Sequence, residues 1–127
     1  MKTFLTSRVV LLLSVFVVSA ACSSAAEARK EDAALSAKLF AAIQKSDYNS
    51  FVADGDDAFH GLTKAQFGSV SAAFAPRLAT AHITFLGELS QHGYRVTLWK
   101  IAFSDGSDDA LATLSVMGGK VGGFWIR

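Results

Sequence analysis

His60 is the side chain in this sequence that is best suited to acid–base chemistry. It follows the acidic segment Asp54-Gly55-Asp56-Asp57 and stands next to Phe59. Histidine changes its charge close to neutral pH, and for that reason it often serves as a general base. A solvated histidine in a polar loop gives the same pattern. We favour that interpretation and keep the general base as the alternative.

Aspartates gather in two polar segments, and their carboxylates could bind a hard cation. They are Asp54, Asp56 and Asp57 in the first segment and Asp105, Asp108 and Asp109 in the second. An EF-hand loop would need a glutamate where the chain has Ala65 and Val116. Aspartate and glycine are also the residues that turns require. The sequence therefore predicts two turns and no metal site.

Other common arrangements of catalytic or binding residues are absent from the sequence. His82 and His92 have no cysteine or carboxylate at the spacing of a zinc site. Gly68-Ser69 lies inside a predicted helix and not in the Gly-x-Ser-x-Gly turn of a hydrolase. The glycines between positions 118 and 123 lie between predicted strands, so they indicate a hairpin and not a phosphate loop. We predict no cofactor.

The first 22 residues read as an export signal. Lys2 and Arg8 supply positive charge, the segment from Val9 to Val18 is apolar, and Ser19-Ala20-Ala21-Cys22 is small. The apolar run is shorter than the roughly 20 residues that a membrane-spanning helix needs. We therefore predict a signal peptide at 1–21, a tether at 22–30 and a single domain at 31–127.

Cys22 is the only cysteine, so it cannot form a disulfide within the chain. The segment Val18-Ser19-Ala20-Ala21-Cys22 resembles the processing site of bacterial lipoproteins, which implies a lipid on Cys22. It departs from that family at Ser19, where an aliphatic residue is usual. Cleavage by an ordinary signal peptidase after Ala20, Ala26 or Ala28 is the alternative. The predicted location is the bacterial periplasm or its membrane, otherwise the secreted fraction.

The charge of the mature domain argues against nucleic acid as a partner. The chain has 12 basic and 11 acidic side chains, and removal of Lys2 and Arg8 leaves one more acid than base. The remaining bases are spread along the chain and form no stripe for phosphates. A membrane contact is expected only through the lipid on Cys22. The domain is long enough for one hydrophobic core.

Helical periodicity fills the first half of the domain. Leu35, Leu39 and Ile43 form one apolar stripe in a helix from Glu31 to Lys45. Asp47 is a predicted N-cap for a short helix from Tyr48 to Ala53. Ala58-Phe59-His60 is predicted to be a short extended piece. Thr63-Lys64-Ala65-Gln66 has the pattern of a capping box and opens a helix that continues to about Ala81.

The second half of the domain alternates with a period of two, as strands do. The predicted strands are 82–89, 94–103, 110–117 and 121–126, with a tight turn at Gly118-Gly119. In the second strand we expect Val96 and Leu98 on one face and Thr97, Trp99 and Ile101 on the other. Gly122 and Gly123 predict a bulge or bend. The fold class is α+β, with N-terminal helices packed on a curved four-stranded antiparallel sheet.

This order of elements, ending in Gly-Lys-Val-Gly-Gly-Phe-Trp-Ile, resembles the nuclear transport factor 2-like superfamily over about residues 31–127. The resemblance implies a cone-shaped α+β barrel with a pocket, and often a homodimer formed through the outer face of the sheet. The superfamily also includes ketosteroid isomerases, which use a carboxylate as the base together with a tyrosine and an acid. Loose counterparts here are Tyr48, Tyr94, Asp47 and Glu88, and no pattern carries those roles across.

Aromatic side chains are the candidates for lining a pocket. They are Phe67, Phe74, Trp99, Phe103 and Trp125. Our first hypothesis is an exported, non-enzymatic binding or interaction module that takes a small apolar ligand and forms a homodimer. The second is an isomerase, dehydratase or cyclase that uses His60 with Tyr48 or Tyr94. The third is a structural envelope protein whose pocket is filled.

Overall fold

The computed structural model describes residues 27–127. The predicted signal peptide, Cys22 and most of the tether lie outside these residues. Within residues 27–127, four helices precede four strands. Their bounds are α1 Lys30–Lys45, α2 Tyr48–Val52, α3 Asp57–His60, α4 Lys64–Leu78, β1 His82–Gln91, β2 Tyr94–Ala102, β3 Ala110–Met117 and β4 Lys120–Ile126. The predicted α+β class with a four-stranded antiparallel sheet is confirmed.

The capping residues that the sequence indicated begin two of the helices. The Asp47 side chain accepts a hydrogen bond from the Ser50 backbone N–H at the start of α2. At α4, the Thr63 hydroxyl accepts from the Gln66 N–H, and the Gln66 side chain accepts from the Thr63 N–H. This reciprocal pair satisfies two donors that a helix start leaves free.

The prediction of an extended piece at Ala58-Phe59-His60 is wrong, because these residues belong to helix α3. The Asp56 side chain accepts a hydrogen bond from the Phe59 N–H and caps the turn. The Phe59 ring is then buried against Phe51, with ring centroids 5.3 Å apart. The strand-like contact of this region lies earlier, at a single parallel bridge between Gly55 and Val121.

The sheet is a meander in the order β1-β2-β3-β4, with every neighbouring pair antiparallel. The two hairpins turn through pairs of residues with positive φ, His92-Gly93 and Gly118-Gly119. Two-residue turns of this kind match the twist of the flanking strands. Gly122 is the extra residue of a bulge in β4, as expected, and Leu86 is the extra residue of a second bulge in β1.

The core lies between the helices and one face of the sheet. Thr97, Trp99 and Ile101 lie together on one face, as the alternation predicted, and the structure shows that this is the inner, buried face. Leu39, Phe40 and Ile43 of α1 pack in the same cluster. Between α1 and the middle of the sheet, side chains therefore fill the interior.

A buried ion pair fastens the start of α1 to the sheet. Asp32 is fully buried, and its two carboxylate oxygens accept hydrogen bonds of 2.7 Å from Nε and Nη2 of Arg95 on β2. This bidentate geometry is the strongest form of the pair. Hydrogen bonding to the Asp32 carboxylate raises the pKa of Arg95 further above its ordinary value.

Candidate functional site

An apolar groove separates α4 from β4, and we call it the α4–β4 groove. Its volume is about 210 Å³. All the side chains that line it are apolar. They are Phe51, Leu62, Phe67, Val70, Phe74, Phe124, Trp125 and Ile126. The groove therefore offers apolar surface and no titratable group.

Helix α4 builds one wall of the groove from residues three or four positions apart. Phe67, Val70 and Phe74 recur at helical spacing and so lie on one face. Phe67 is buried against Phe51, with ring centroids 4.8 Å apart. Val70 is 36% exposed, although its neighbours on this face are buried or half-buried. This wall is thus well packed at Phe67 and exposed to water at Val70.

Strand β4 builds the opposite wall. Phe124 pairs with Leu114 and lies on the inner face, where its ring packs edge-on against Phe40 at 5.3 Å. Trp125 is 53% exposed, and its indole folds back over Gly123, where any Cβ would collide with it. The two aromatics of this strand therefore have different roles, one in the core and one at the surface.

A second cavity of about 300 Å³ continues the groove towards α3. The two cavities share Leu62, Phe124 and Trp125. The second also contacts Phe59 and Gln66 from the helices and Gly122 and Gly123 from the strand. We call the two cavities together the β4 cleft, because they follow this strand along its length.

The aromatic candidates divide between the groove and its surroundings. Phe67, Phe74 and Trp125 line the groove. Phe103 lies beside it and stacks on Phe74, with ring centroids 6.4 Å apart. Trp99 is buried in the core, where its indole N–H donates a 2.9 Å hydrogen bond to Thr97 Oγ1. Alternation along a strand could not separate Trp99 from Trp125, because it does not show which strand is at the edge.

The acid–base candidates do not meet in one cavity. His60 is exposed at the end of α3. The Tyr48 hydroxyl donates a 2.6 Å hydrogen bond to the backbone carbonyl of Leu62. The Tyr94 hydroxyl donates to Asp56 Oδ2 at 3.4 Å, and Tyr94 lines a cavity on the outer face of the sheet. Neither His60 nor Tyr48 lines the β4 cleft.

The two remaining counterparts from the resemblance have structural partners. Hydrogen bonds from the Ser50 hydroxyl and its backbone N–H lower the pKa of Asp47, which caps α2. Glu88 accepts hydrogen bonds from Arg29 at 3.1 and 3.3 Å on the surface. Both carboxylates are thus explained by capping and surface pairing.

A polar cluster closes the end of α4 beyond the groove. The Arg77 guanidinium lies 3.8 Å from the Phe103 ring centroid, which is close enough for a cation–π contact. It also donates hydrogen bonds to Asp105 and Ser107. Hydrogen bonds from Ser107, followed by the one from Arg77, lower the pKa of Asp105 to about 2. The cluster fastens the loop between β2 and β3 to α4.

The outer face of the sheet carries apolar side chains and has no covering helix among the described residues. Val96, Leu98, Leu111 and Trp125 line two shallow cavities there, of about 310 and 280 Å³. Leu89 and Met117 are exposed on the neighbouring strands. Polar side chains also lie on this face: Thr113 and Ser115 in the middle of β3, and Gln91, His92 and Arg127 at its rim.

Within residues 27–127, no group of three or more histidine, cysteine or carboxylate side chains is placed to hold a metal ion. The helices in the same part of the chain are all too short or too polar to cross a bilayer.

Comparison with known proteins leaves the family open. No family model matches the chain. No curated protein matches it either. The chain is similar to a solved structure described as an uncharacterized cystatin fold protein from Novosphingobium aromaticivorans. The two are 20% identical, with a TM-score of 0.42, and the match covers 74% of this chain and 95% of that one. This likeness carries no conclusion about function.

Proposed function

We propose that this chain is an exported, non-enzymatic binding module whose α4–β4 groove takes an apolar group from a ligand or partner. One observation carries the proposal. Every side chain that lines the groove is apolar, and Val70 and Trp125 leave its rim open to water. Monomeric proteins seldom keep contiguous apolar surface exposed unless a partner or ligand covers it.

The size of the groove supports a small occupant. Pockets for drug-sized molecules occupy roughly 300 to 1,000 Å³. The groove has about 210 Å³, and so it suits one large apolar side chain or a ligand the size of a single aromatic ring. The second cavity of the β4 cleft gives room for the rest of a longer partner.

The arrangement of polar groups supports binding over catalysis. An acid–base enzyme needs at least two titratable groups that converge on one cavity. Here the Tyr48 hydroxyl donates its hydrogen bond to the Leu62 carbonyl, and the His60 side chain is exposed to water. The enzyme alternative therefore has no pair of residues in the groove to act through.

Membership of the nuclear transport factor 2-like superfamily is part of the proposal. The order of helices and strands supports it, as does the parallel bridge between Gly55 and Val121 beside the last strand. In that superfamily a dimer often forms through the outer sheet face, which here carries Leu98 and Leu111. We propose the same for this chain. Sedimentation of Leu98→Asp tests it: the wild type should sediment as a dimer and the variant as a monomer.

The proposed location is the periplasm or its membrane, with a lipid on Cys22. The sequence from Lys2 to Cys22 supports this proposal. Mass spectrometry of the N-terminal peptide from the membrane fraction tests it. A diacylglyceryl-modified Cys22 is the expected result, and an unmodified N-terminus at Glu27 or Arg29 would remove the anchor from the proposal.

A thermal-shift experiment with indole as the apolar probe tests the groove itself. Indole at millimolar concentration should raise the melting temperature of the wild type, since a ligand that binds only the folded state stabilises it. Val70→Asp places a charge at the rim and should abolish the shift. The matched control is Leu86→Asp, at an exposed leucine on β1 that lies outside the cleft. An equal shift in both variants would exclude the groove as the site.

A further inference from the structure

We propose that the β4 cleft binds an extended peptide segment of another protein, which adds as a fifth strand to the free edge of β4. The inference rests on the proposed function, because it names the kind of partner that the groove takes. Strand addition combines main-chain hydrogen bonds with pockets for alternate side chains. Both elements are present here: backbone groups on the free edge of β4 and an apolar groove beside that strand.

The hydrogen bonds of β4 with β3 identify the groups on its free edge. Leu111 and Arg127 exchange both backbone hydrogen bonds, at 2.8 and 3.0 Å. Opposed residues in an antiparallel pair alternate between bonded and non-bonded. Trp125, which is opposite Thr113, is therefore bonded to β3. The N–H and C=O groups of Phe124 and Ile126 then point away from β3, towards the edge.

Only the first part of this edge is covered by the described residues. The Val121 N–H donates to the Asp54 carbonyl, and the Asp56 N–H donates to the Val121 carbonyl, both at 2.8 Å. No hydrogen bond within residues 27–127 reaches the backbone of Phe124 or Ile126 from that side. The two N–H donors and two C=O acceptors of Phe124 and Ile126 therefore remain available on this edge. The two residues are about 6.8 Å apart along the strand.

The groove explains what the added strand would present. Successive side chains of a strand point to opposite faces of the sheet. A strand beside Phe124 and Ile126 therefore directs every second side chain towards α4, where Phe67 and Val70 line the groove. The volume of about 210 Å³ accepts one large apolar side chain. The expected peptide is extended and carries leucine, isoleucine or phenylalanine at its central position.

A second copy of this chain does not fit the cleft as well. Its exposed edges are β1 and β4. The inner side chains of those strands, such as Phe85 and Phe124, already pack against the core of their own domain. The inner side chains of those edges are thus not free for the groove, and the exposed Leu86 of β1 lies at a bulge that interrupts regular strand pairing. The occupant must be a segment that is not itself part of a folded sheet.

The tether of this chain lacks the required side chain. Between Cys22 and Arg29 it contains only serine, alanine and Glu27. It enters α1 beside Glu88 of β1, with which Arg29 pairs. Strand β1 lies at the opposite edge of the sheet from β4. A segment from another protein therefore remains as the occupant.

Selection from phage-displayed random heptapeptides, followed by synthesis of the selected peptides, tests the inference. We expect enrichment of peptides with one central large apolar residue. Their binding should slow hydrogen exchange at the Phe124 and Ile126 amides. N-methylation of the peptide nitrogens that face β4 should weaken binding about tenfold or more, because each change removes a donor and adds bulk. N-methylation of the alternate nitrogens should change it less than threefold.

Variants of the groove test whether the selected peptides bind beside β4. Val70→Asp should weaken binding of the selected peptides at least tenfold, and Leu86→Asp should leave it unchanged. Failure to select any peptide, or exchange that slows only on the outer face, would overturn the inference. Slower exchange at Phe124 and Ile126 on raising the concentration of Leu98→Asp, which should not form the outer-face dimer, would assign the edge to a second copy and would also overturn it.

The indole experiment distinguishes a failure of this inference from a failure of the proposed function. If indole stabilises the wild type but not Val70→Asp, and no peptide is protected along β4, the groove binds apolar groups and strand addition is wrong. If indole has no effect on the wild type, the proposed function fails as well.

Discussion

The two long helices of this domain pack against the rest of the molecule in different ways. Helix α1 places Leu39, Phe40 and Ile43 in the core and joins its first turn to β2 through Asp32. Helix α4 buries Phe67 and Leu78 but leaves Val70 beside an unfilled groove. Helix α1 is packed along its whole inner face. Helix α4 packs against α1 through Ser71, whose hydroxyl donates a 2.7 Å hydrogen bond to the Ile43 carbonyl, but its face towards β4 stays open at Val70. Packing is therefore incomplete between α4 and β4, and we interpret this groove as the binding site.

Removal of core volume from α1 should give the largest effect. Ile43→Ala should lower the free energy of unfolding by about 4 kcal/mol, because Ile43 is fully buried and the cavity cannot collapse completely. Val70→Ala in α4 should change it by less than about 1 kcal/mol. Urea unfolding followed by circular dichroism measures both. Equal losses would contradict the contrast between the helices.

Disruption of the buried ion pair should give the next largest effect. Asp32→Ala leaves the Arg95 guanidinium without its partner and should cost about 3 kcal/mol. This loss of stability is near the low end of the range for breaking a buried ion pair, because the Arg95 side chain is 27% exposed to water. Glu88→Ala is the matched control: it breaks the exposed pair with Arg29 and should cost less than about 1 kcal/mol. The same urea titration compares them.

The cluster at the end of α4 should contribute least, and its effect should depend on pH. The pKa of Asp105 is lowered to about 2 in the folded state, so the charged form stabilises the fold. That contribution is complete above pH about 4 and is lost as the pH falls towards 2. Asp105→Asn should therefore lower the melting temperature slightly at pH 6 and not at pH 2. Asp108→Asn, which removes a carboxylate from the same loop, is the matched control.

Local signals in the sequence predicted most of the fold. The capping box at Thr63 and the glycine pair after Met117 specify their own conformations through nearby hydrogen bonds and positive φ angles. The alternation in β2 also placed Thr97 and Trp99 on the same face. Each of these signals is complete within a few residues, and this is why the sequence alone could show it.

The remaining features depend on residues that are distant in the chain. Asp32 and Arg95 are 63 positions apart, so no spacing rule could pair them. The extended piece predicted at Phe59 is a helix because Asp56 caps it and the ring packs on Phe51. The groove depends on how α4 packs beside β4, and the strand pattern does not show where a helix lies on the sheet. The candidate site therefore became visible only in three dimensions.

The most direct test of the groove is a titration of the isotope-labelled protein with indole, followed by amide chemical shifts in two-dimensional NMR spectra. We expect the amide shifts to change around Phe67, Val70, Phe74 and Phe124, with little change around Ile43 and Asp32 of α1. Changes confined to the outer face around Leu98, or no changes at millimolar indole, would contradict the claim that α4 and β4 form the binding site.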